Sequence, residues 1–131
     1  MALSKKEKIQ LYDYLVHFED NIKGNQGHYD FNDNQLQSFI NSNDIEFCSH
    51  KSKGTHTKKH DAYFQYEYAN LDRAHDLMRH IRNAIAHGNI VKSQGCFWLK
   101  DYNNFGTKTL DAKIKIDIFW DFLNELGNTY H

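Results

Sequence analysis

Residues 61–88 read DAYFQYEYANLDRAHDLMRHIRNAIAHG, and they carry the strongest helical pattern in the chain. Apolar side chains recur three or four positions apart, as on the buried face of an amphipathic helix. The pattern predicts one long helix from Asp61 to His87. Gly88 follows directly, and a glycine after the last helical residue is typical of a left-handed C-terminal cap. We therefore expect His87 to lie in the last turn of this helix.

The remaining chain predicts further helices and a small amount of β-structure. Helical spacing indicates helices at about residues 5–22, 34–41 and 117–126, the first with Ser4 as its N-cap. Short apolar runs separated by turn residues predict a small β-hairpin insert near residues 90–116. A chain of 131 residues is enough for one hydrophobic core. We therefore expect a single, mainly α-helical domain over residues 1–131.

The charge balance limits how this protein can bind nucleic acid. Lys and Arg number 16 against 17 Asp and Glu, so the formal net charge is −1. Proteins that coat nucleic acid without specificity are clearly basic. A role with nucleic acid must therefore depend on a local site.

Cysteine use and hydropathy predict a cytoplasmic protein that does not enter a membrane. Cys48 and Cys96 stand far apart and form no paired motif, which favours a reducing compartment. No apolar run reaches the roughly 18 residues that a transmembrane helix needs. The charged N-terminal sequence does not resemble a signal peptide.

Four polar side chains of the predicted long helix lie away from its apolar face. At about 100° per residue, four residues fall opposite the apolar cluster, namely Arg79, Arg82, Asn83 and His87. A guanidinium group binds two phosphate oxygens at once, and an imidazole exchanges a proton near neutral pH. RNA supplies its own nucleophile, the 2′-hydroxyl, so this set can cleave RNA without a metal or another cofactor. General acid and general base catalysis need two histidines, which a two-fold homodimer would supply.

Residues 71–90, LDRAHDLMRHIRNAIAHGNI, resemble the signature helix of the HEPN superfamily. That helix carries Arg, a polar residue, several variable residues and His, and Arg82-Asn83 with His87 matches its commonest form. The resemblance implies a dimerising bundle of four to five helices and, in active members, a metal-independent endoribonuclease that serves as a toxin or antiviral effector. It implies that Arg82 and His87 are catalytic, that Asn83 positions them, and that an antitoxin or other inhibitory partner restrains the enzyme. The alternative is a non-catalytic HEPN-like module that binds nucleic acid or protein.

A basic stretch is a second candidate for RNA binding. Residues 47–60 contain no acidic residue and carry four lysines, Lys51, Lys53, Lys58 and Lys59. The stretch is either a solvated surface loop or a positive rim that, with Arg79, guides RNA toward the site. Both interpretations stay open.

Two other interpretations of the sequence do not involve RNA cleavage. Cations are favoured in the last turn of any helix by the helix dipole, which would account for Arg82 and His87. The segment around residues 48–60 also offers zinc ligands, Cys48, His50, His56 and His60, but their spacing is not a zinc pattern and the lysines would repel a dication. We therefore predict no metal site. We expect His75 and His80 to be solvated or capping groups, and Trp98 and Trp120 to pack in the core.

Overall fold

The computed structural model describes residues 2–49, 62–67 and 72–131, and it combines helices with a five-stranded sheet. The α-helices of the described residues are α1 (Lys5–His17), α2 (Asn34–Ser42), α3 (Arg73–Ala86) and α4 (Ile116–Gly127). The strands are β1 (Ile45–Ser49), β2 (Ala62–Tyr66), β3 (Ile90–Ser93), β4 (Cys96–Tyr102) and β5 (Lys108–Lys115). A π-helical turn, Phe18–Ile22, extends α1, and the Lys23 N–H donates to the Phe18 carbonyl at 2.9 Å.

The sheet is mixed, with the strand order β1-β2-β5-β4-β3. β1 and β2 are parallel, with Ile45 opposite Ala62, and the other pairs are antiparallel. Alternate residues of the central strand β5, Leu110, Ala112 and Ile114, are fully buried because successive side chains of a strand point to opposite faces. Helices α3 and α4 both contact β4 and β5.

The predicted mainly α-helical bundle is wrong. The hairpin insert predicted near residues 90–116 is instead three antiparallel strands, β3 to β5, and β1 and β2 complete a five-stranded sheet with them. An isolated hairpin is only marginally stable in water. Pairing with β1 and β2 gives β3, β4 and β5 the additional strands that a stable sheet needs. The chain therefore has a mixed helix-and-sheet fold.

The single long helix predicted from Asp61 to His87 contains a strand. Residues 62–66 form β2, and α3 begins only at Arg73. Phe64, Gln65 and Tyr66 are all buried, and because successive side chains of a strand point to opposite faces, both faces of β2 are covered there. A strand buried on both faces has no polar alternation, so its pattern cannot be told from that of a buried helix.

The other predicted elements are confirmed close to their predicted positions. α1 begins after Ser4, whose hydroxyl accepts from the Glu7 N–H at 3.1 Å, while the Glu7 carboxylate accepts from the Ser4 N–H at 2.8 Å. This reciprocal pair is a capping box. The helices α2 and α4 and the strand character within residues 90–116 also agree with the sequence patterns.

Helix α3 carries Arg79, Arg82 and Asn83, with His87 as its C-cap, and α1 runs antiparallel beside it. The His75 Nε2 lies 3.2 Å from the Ile22 carbonyl, and the Tyr14 hydroxyl donates to the Met78 carbonyl at 3.1 Å. Residue 22 thus meets the first turn of α3 and residue 14 meets the turn after it. Leu77 and Ile81 have no exposed surface, so the apolar face of α3 is fully covered.

Among the described residues, no helix combines the length and the apolar character that crossing a bilayer requires.

Gly88 fixes the end of α3 directly after His87, and its φ of +71° lies in the left-handed region. A Cβ added at Gly88 would meet no atom within 4 Å, so a substitution there acts on the backbone alone. We expect Gly88→Ala to lower the free energy of unfolding by about 1 kcal/mol, measured by urea denaturation. Gly24→Ala is the matched control, because Gly24 also faces open space but lies outside the left-handed region. Equal destabilisation by the two variants would contradict this explanation.

Candidate functional site

The residues predicted from the sequence lie along the C-terminal half of α3. Arg79, Arg82 and Asn83 are half-buried, and His87 is exposed at the C-cap, where its N–H donates to the Asn83 carbonyl at 3.0 Å. In the described part of the chain no hydrogen bond reaches the His87 imidazole. Its two ring nitrogens are therefore open to a ligand.

The Arg82 guanidinium is held from two sides. Its Nη1 donates to Asn83 Oδ1 at 3.1 Å, and its Nη2 lies 3.4 Å from Glu19 Oε1 on the π-helical turn. Glu19 also pairs with Lys23 at 3.4 Å. These ion pairs are partly exposed, and such pairs contribute little to stability. Their main effect is to orient the guanidinium.

Asp101 on β4 is the buried acceptor beneath this helix face. Its Oδ2 accepts hydrogen bonds from His80 Nδ1 at 3.0 Å, Asn83 Nδ2 at 3.4 Å and Thr109 Oγ1 at 3.3 Å, and its Oδ1 accepts from its neighbour's backbone N–H at 2.9 Å. Burial acts to raise the pKa of Asp101, but the hydrogen bonds from His80 and Asn83 outweigh it, so the pKa lies below its ordinary value. Asp101 is thus a buried carboxylate that stays ionised.

His80 connects this carboxylate to the chain that precedes α3. Its Nδ1 faces Asp101, and its Nε2 lies 2.8 Å from the Glu67 carbonyl. Both neighbours are hydrogen-bond acceptors, so both ring nitrogens of the buried imidazole lie against polar groups of the protein. His75 and His80 are 3 % and 4 % exposed, so they are not solvated. The capping alternative fits His75, whose Nε2 lies 3.2 Å from the carbonyl of Ile22 at the end of the π-helical turn.

A line of hydrogen bonds runs from the core to the surface through Asn83. Because the Asn83 amide donates to Asp101, its oxygen is turned toward Arg82. Asp101 therefore positions Arg82 through Asn83. The sequence did offer one signal for Asp101: it follows the buried Phe97 and Leu99 at period two, so a carboxylate stands at a core-facing position.

The comparisons with known proteins identify the family of the chain. A family model described as HEPN pEK499 p136 matches residues 9–131. The chain belongs to this HEPN family. The resemblance seen in residues 71–90 is thereby confirmed, and the matched range includes all five strands of the sheet. Neither the curated proteins nor the solved structures include a match to the chain.

Only some of the other residues predicted to bind RNA or zinc lie within the described part of this HEPN chain. Arg79 lies 3.5 Å from Asp76, whose carboxylate is buried, so part of its charge is balanced locally. The predicted RNA-binding lysines Lys51, Lys53, Lys58 and Lys59 and the zinc candidates His50, His56 and His60 lie outside the described residues. Burial raises the pKa of Cys48, which disfavours the thiolate that binds metal. Within residues 2–49, 62–67 and 72–131, no group of three or more His, Cys, Asp or Glu could hold a metal ion.

We expect Asp101→Asn to destabilise the HEPN domain by about 2 kcal/mol, because it removes the buried carboxylate on which the hydrogen bonds from His80, Asn83 and Thr109 converge. Urea denaturation at neutral pH measures the change. Asp121→Asn is the matched control, since Asp121 is exposed, and we expect a change below about 0.5 kcal/mol. Comparable effects of the two variants would show that the carboxylate of Asp101 is not a structural requirement.

The lowered pKa of Asp101 also predicts a pH dependence. The ionised carboxylate stabilises the fold above the unfolded-state pKa of about 3.9, and this stabilisation is lost as the pH falls through the lower folded-state pKa. The difference in free energy of unfolding between wild type and Asp101→Asn should therefore shrink below about pH 4. A difference that is the same on both sides of that pH would contradict the assignment.

Proposed function

We propose that this HEPN protein is a metal-independent endoribonuclease that works as a homodimer. One observation carries the proposal. Arg82 is fixed from the core through Asn83, and five residues further on, at the C-cap of the same helix, lies the exposed imidazole of His87, which makes no hydrogen bond within the described part of the chain. A positioned cation and a free imidazole are the groups that RNA cleavage needs.

The cleavage uses the 2′-hydroxyl of the RNA as nucleophile. A base removes the 2′-hydroxyl proton, the 2′-oxygen bonds to the adjacent phosphorus, and the bond from phosphorus to the 5′-oxygen breaks. An acid protonates the departing 5′-oxygen, which leaves a 2′,3′-cyclic phosphate and a 5′-hydroxyl. His87 is the acid or the base, and Arg82 stabilises the negative charge that grows on the phosphoryl oxygens. The second imidazole comes from His87 of a second copy.

The outer face of α1 supports the homodimer. Ile9, Tyr12 and Val16 are 51 %, 66 % and 44 % exposed, and at about 100° per residue they fall within about 60° of one another. Glu19, one turn beyond Val16, contacts Arg82. This apolar stripe of α1 therefore borders the site on α3, and exposed apolar patches rimmed by polar groups are typical of protein interfaces.

The cellular role that fits such an enzyme is that of a toxin or antiviral effector. A ribonuclease that needs no metal is active wherever RNA is present, so we infer an antitoxin or another inhibitory partner. Arg79 and the lysines of residues 51–59 are the groups that would guide the RNA substrate by charge.

A non-catalytic binding module is the second candidate, and the Glu19–Arg82 pair favours it. In the described structure, the Nη1 and Nη2 of Arg82 already donate to acceptors of the protein itself, Asn83 Oδ1 and Glu19 Oε1. A phosphate would have to displace Glu19 to gain a bidentate contact. The cleavage assay below decides between the two functions.

We expect purified wild-type protein to cleave single-stranded RNA in the presence of EDTA. His87→Ala and Arg82→Ala should each reduce kcat/KM by at least about a hundredfold, because each removes a group that acts in the transition state. Arg82→Lys should restore little activity, since an ammonium cannot bind two phosphoryl oxygens in a planar fork.

His131→Ala is the control for that assay, because it removes an exposed imidazole whose Nδ1 lies 3.2 Å from the Thr129 carbonyl and which is not on α3. We expect it to cleave like wild type. The product ends should be a 2′,3′-cyclic phosphate and a 5′-hydroxyl. Unchanged cleavage by the His87 variant would overturn the mechanism, and RNA binding without cleavage by wild type would support the binding module.

The homodimer predicts that a charge in the apolar stripe of α1 reduces assembly and activity together. We expect Tyr12→Asp to shift the protein from dimer to monomer in light scattering after gel filtration and to reduce RNA cleavage in parallel. Phe105→Asp is the matched control, because Phe105 is 93 % exposed on the β4–β5 turn. A Tyr12→Asp variant that remains dimeric would place the interface elsewhere, and a fully active monomer would exclude the composite site.

A further inference from the structure

Helices α3 and α4 pack against the same face of the sheet. On β4, Asp101 contacts α3, and the Phe97 ring centroid lies 6.4 Å from that of Trp120 on α4. Trp120 thus packs against the core, as the sequence predicted. Trp98 and Lys100 alternate with Phe97 and Asp101 along the strand, so their side chains point to the opposite face. We call this opposite face of β4 and β5 the lysine face.

Three lysines of the lysine face have no acidic partner within the described part of the chain. Lys100 on β4 and Lys115 on β5 are exposed, and Lys113 on β5 is half-buried. We call these three residues the lysine track. Asp111 of the same face does not neutralise them, because it pairs with Lys108 at 3.1 Å. The whole chain has a formal net charge of −1, so the lysine track is a local concentration of positive charge.

The strand register places the lysine track in a line. Lys115 pairs with position 96 of β4, Lys113 pairs with position 98, and Lys100 stands at the next position of β4 on the same face. Positions two residues apart along a strand are separated by about 7 Å. Successive phosphates of an extended nucleic-acid strand are separated by a similar distance. The track therefore fits one sugar–phosphate backbone rather than the two of a duplex.

The lysine track begins beside the end of α3 that carries His87. The Asn89 carbonyl accepts from the Lys100 N–H at 3.0 Å, and the Asn89 N–H donates to the Ala84 carbonyl of α3 at 2.8 Å. Asn89 is two residues beyond His87, so Lys100 starts the track next to the C-cap of α3. A strand that leaves the proposed site at His87 would therefore pass over the turn at residues 88–89 and continue along the lysine face.

Aromatic side chains accompany the lysine track. Tyr102 follows Lys100 at period two and is 43 % exposed, so a base can stack on its ring. The prediction that Trp98 packs in the core is wrong, because Trp98 is half-buried on the lysine face, where Lys113 Nζ lies 4.9 Å from its ring centroid. This cation–π contact holds the Lys113 ammonium over the sheet. Cations that follow a backbone, together with rings that stack on bases, are typical of surfaces that bind single-stranded nucleic acid.

We propose that the lysine face binds single-stranded RNA, with phosphates along the lysine track and a base on Tyr102. The inference rests on the proposed function for the identity of the ligand, and it deepens that function by giving the RNA a path beyond the cleaved phosphodiester. Charge alone would equally attract an acidic protein segment. The even spacing of the lysines, the exposed ring and the continuity with His87 favour RNA.

The test measures binding of a fluorescent single-stranded 2′-O-methyl octanucleotide, which cannot be cleaved because its 2′-oxygens are methylated. The track variant is the double substitution Lys100→Gln, Lys115→Gln. The matched control is Lys6→Gln, Lys8→Gln, which removes two exposed lysines of α1. Fluorescence anisotropy at several salt concentrations gives Kd and its salt dependence, and circular dichroism verifies the fold of each variant.

We expect the track variant to raise Kd at least about tenfold at about 0.1 M salt, and the control to stay within about twofold. Each phosphate contact with a single strand contributes about 0.7 to the slope of log Kd against log salt concentration, so the slope should fall by about 1.4 in the track variant alone. Tyr102→Ala should raise Kd about tenfold, which corresponds to about 1.4 kcal/mol. It should leave the slope unchanged, because stacking releases no counterion.

Three results would overturn the proposal. The first is equal Kd and equal salt dependence for wild type and the track variant. The second is tighter binding of a 2′-O-methyl duplex than of the single strand, because the lysines would then not follow one backbone. The third is displacement of the octanucleotide by poly-glutamate as readily as by unlabelled octanucleotide, which would make an acidic protein segment the ligand.

Failure of this inference and failure of the proposed function give different results. RNA cleavage by wild type with track-independent binding of the octanucleotide would reject this inference alone. Track-dependent binding without any cleavage of RNA by wild type would support this inference and reject the proposed endoribonuclease alone.

Discussion

The buried carboxylate of Asp101 joins helix α3 to the sheet, and the geometry of the candidate site depends on that junction. Hydrogen bonds from His80 and Asn83 on α3 and from Thr109 on β5 converge on it. A charge removed from water is tolerated only when nearly all of its hydrogen-bonding capacity is used. These donors therefore fix both the rotation of α3 and its height along the strands, since a shift of one residue would leave the carboxylate unpaired. The position of α3 in turn sets the positions of Arg82 and His87.

Much of the fold could be predicted because its signals are local. The capping box at Ser4, the left-handed Gly88 and the alternation within residues 108–115 each depend on neighbours in the sequence, and each is present. The mixed sheet could not be predicted in the same way. Strand β2 is buried on both faces and so resembles a helix in its hydropathy, and its parallel partner β1 reaches it through a non-local pairing.

The residues of the candidate site also fall into a local group, which the sequence pattern identifies, and a non-local group, which it does not. Arg82, Asn83 and His87 lie within six residues of one helix, so a local pattern was enough to find them. Asp101 and Glu19 meet them from a strand and from the turn after α1, at 18 and 63 residues from their partners. Contacts at such separation exist only after the chain has folded. The motif thus named the candidate residues, while the sheet and α1 supply the groups that contact them. The family match over residues 9–131 places both within one HEPN region.

The π-helical turn after α1 makes the environment of Arg82 depend on the number of residues in that turn. A π-turn holds one residue more than the α-helical turn that it replaces. Deleting one residue from Phe18–Ile22 would restore regular α-geometry and leave the flanking segments on the same faces, because the extra residue bulges out of an otherwise continuous helix. Such a deletion would reposition the Glu19 carboxylate within the turn while Arg82 and the rest of α3 keep their places. A single-codon deletion in this turn therefore changes the neighbour of the arginine while leaving the motif itself intact.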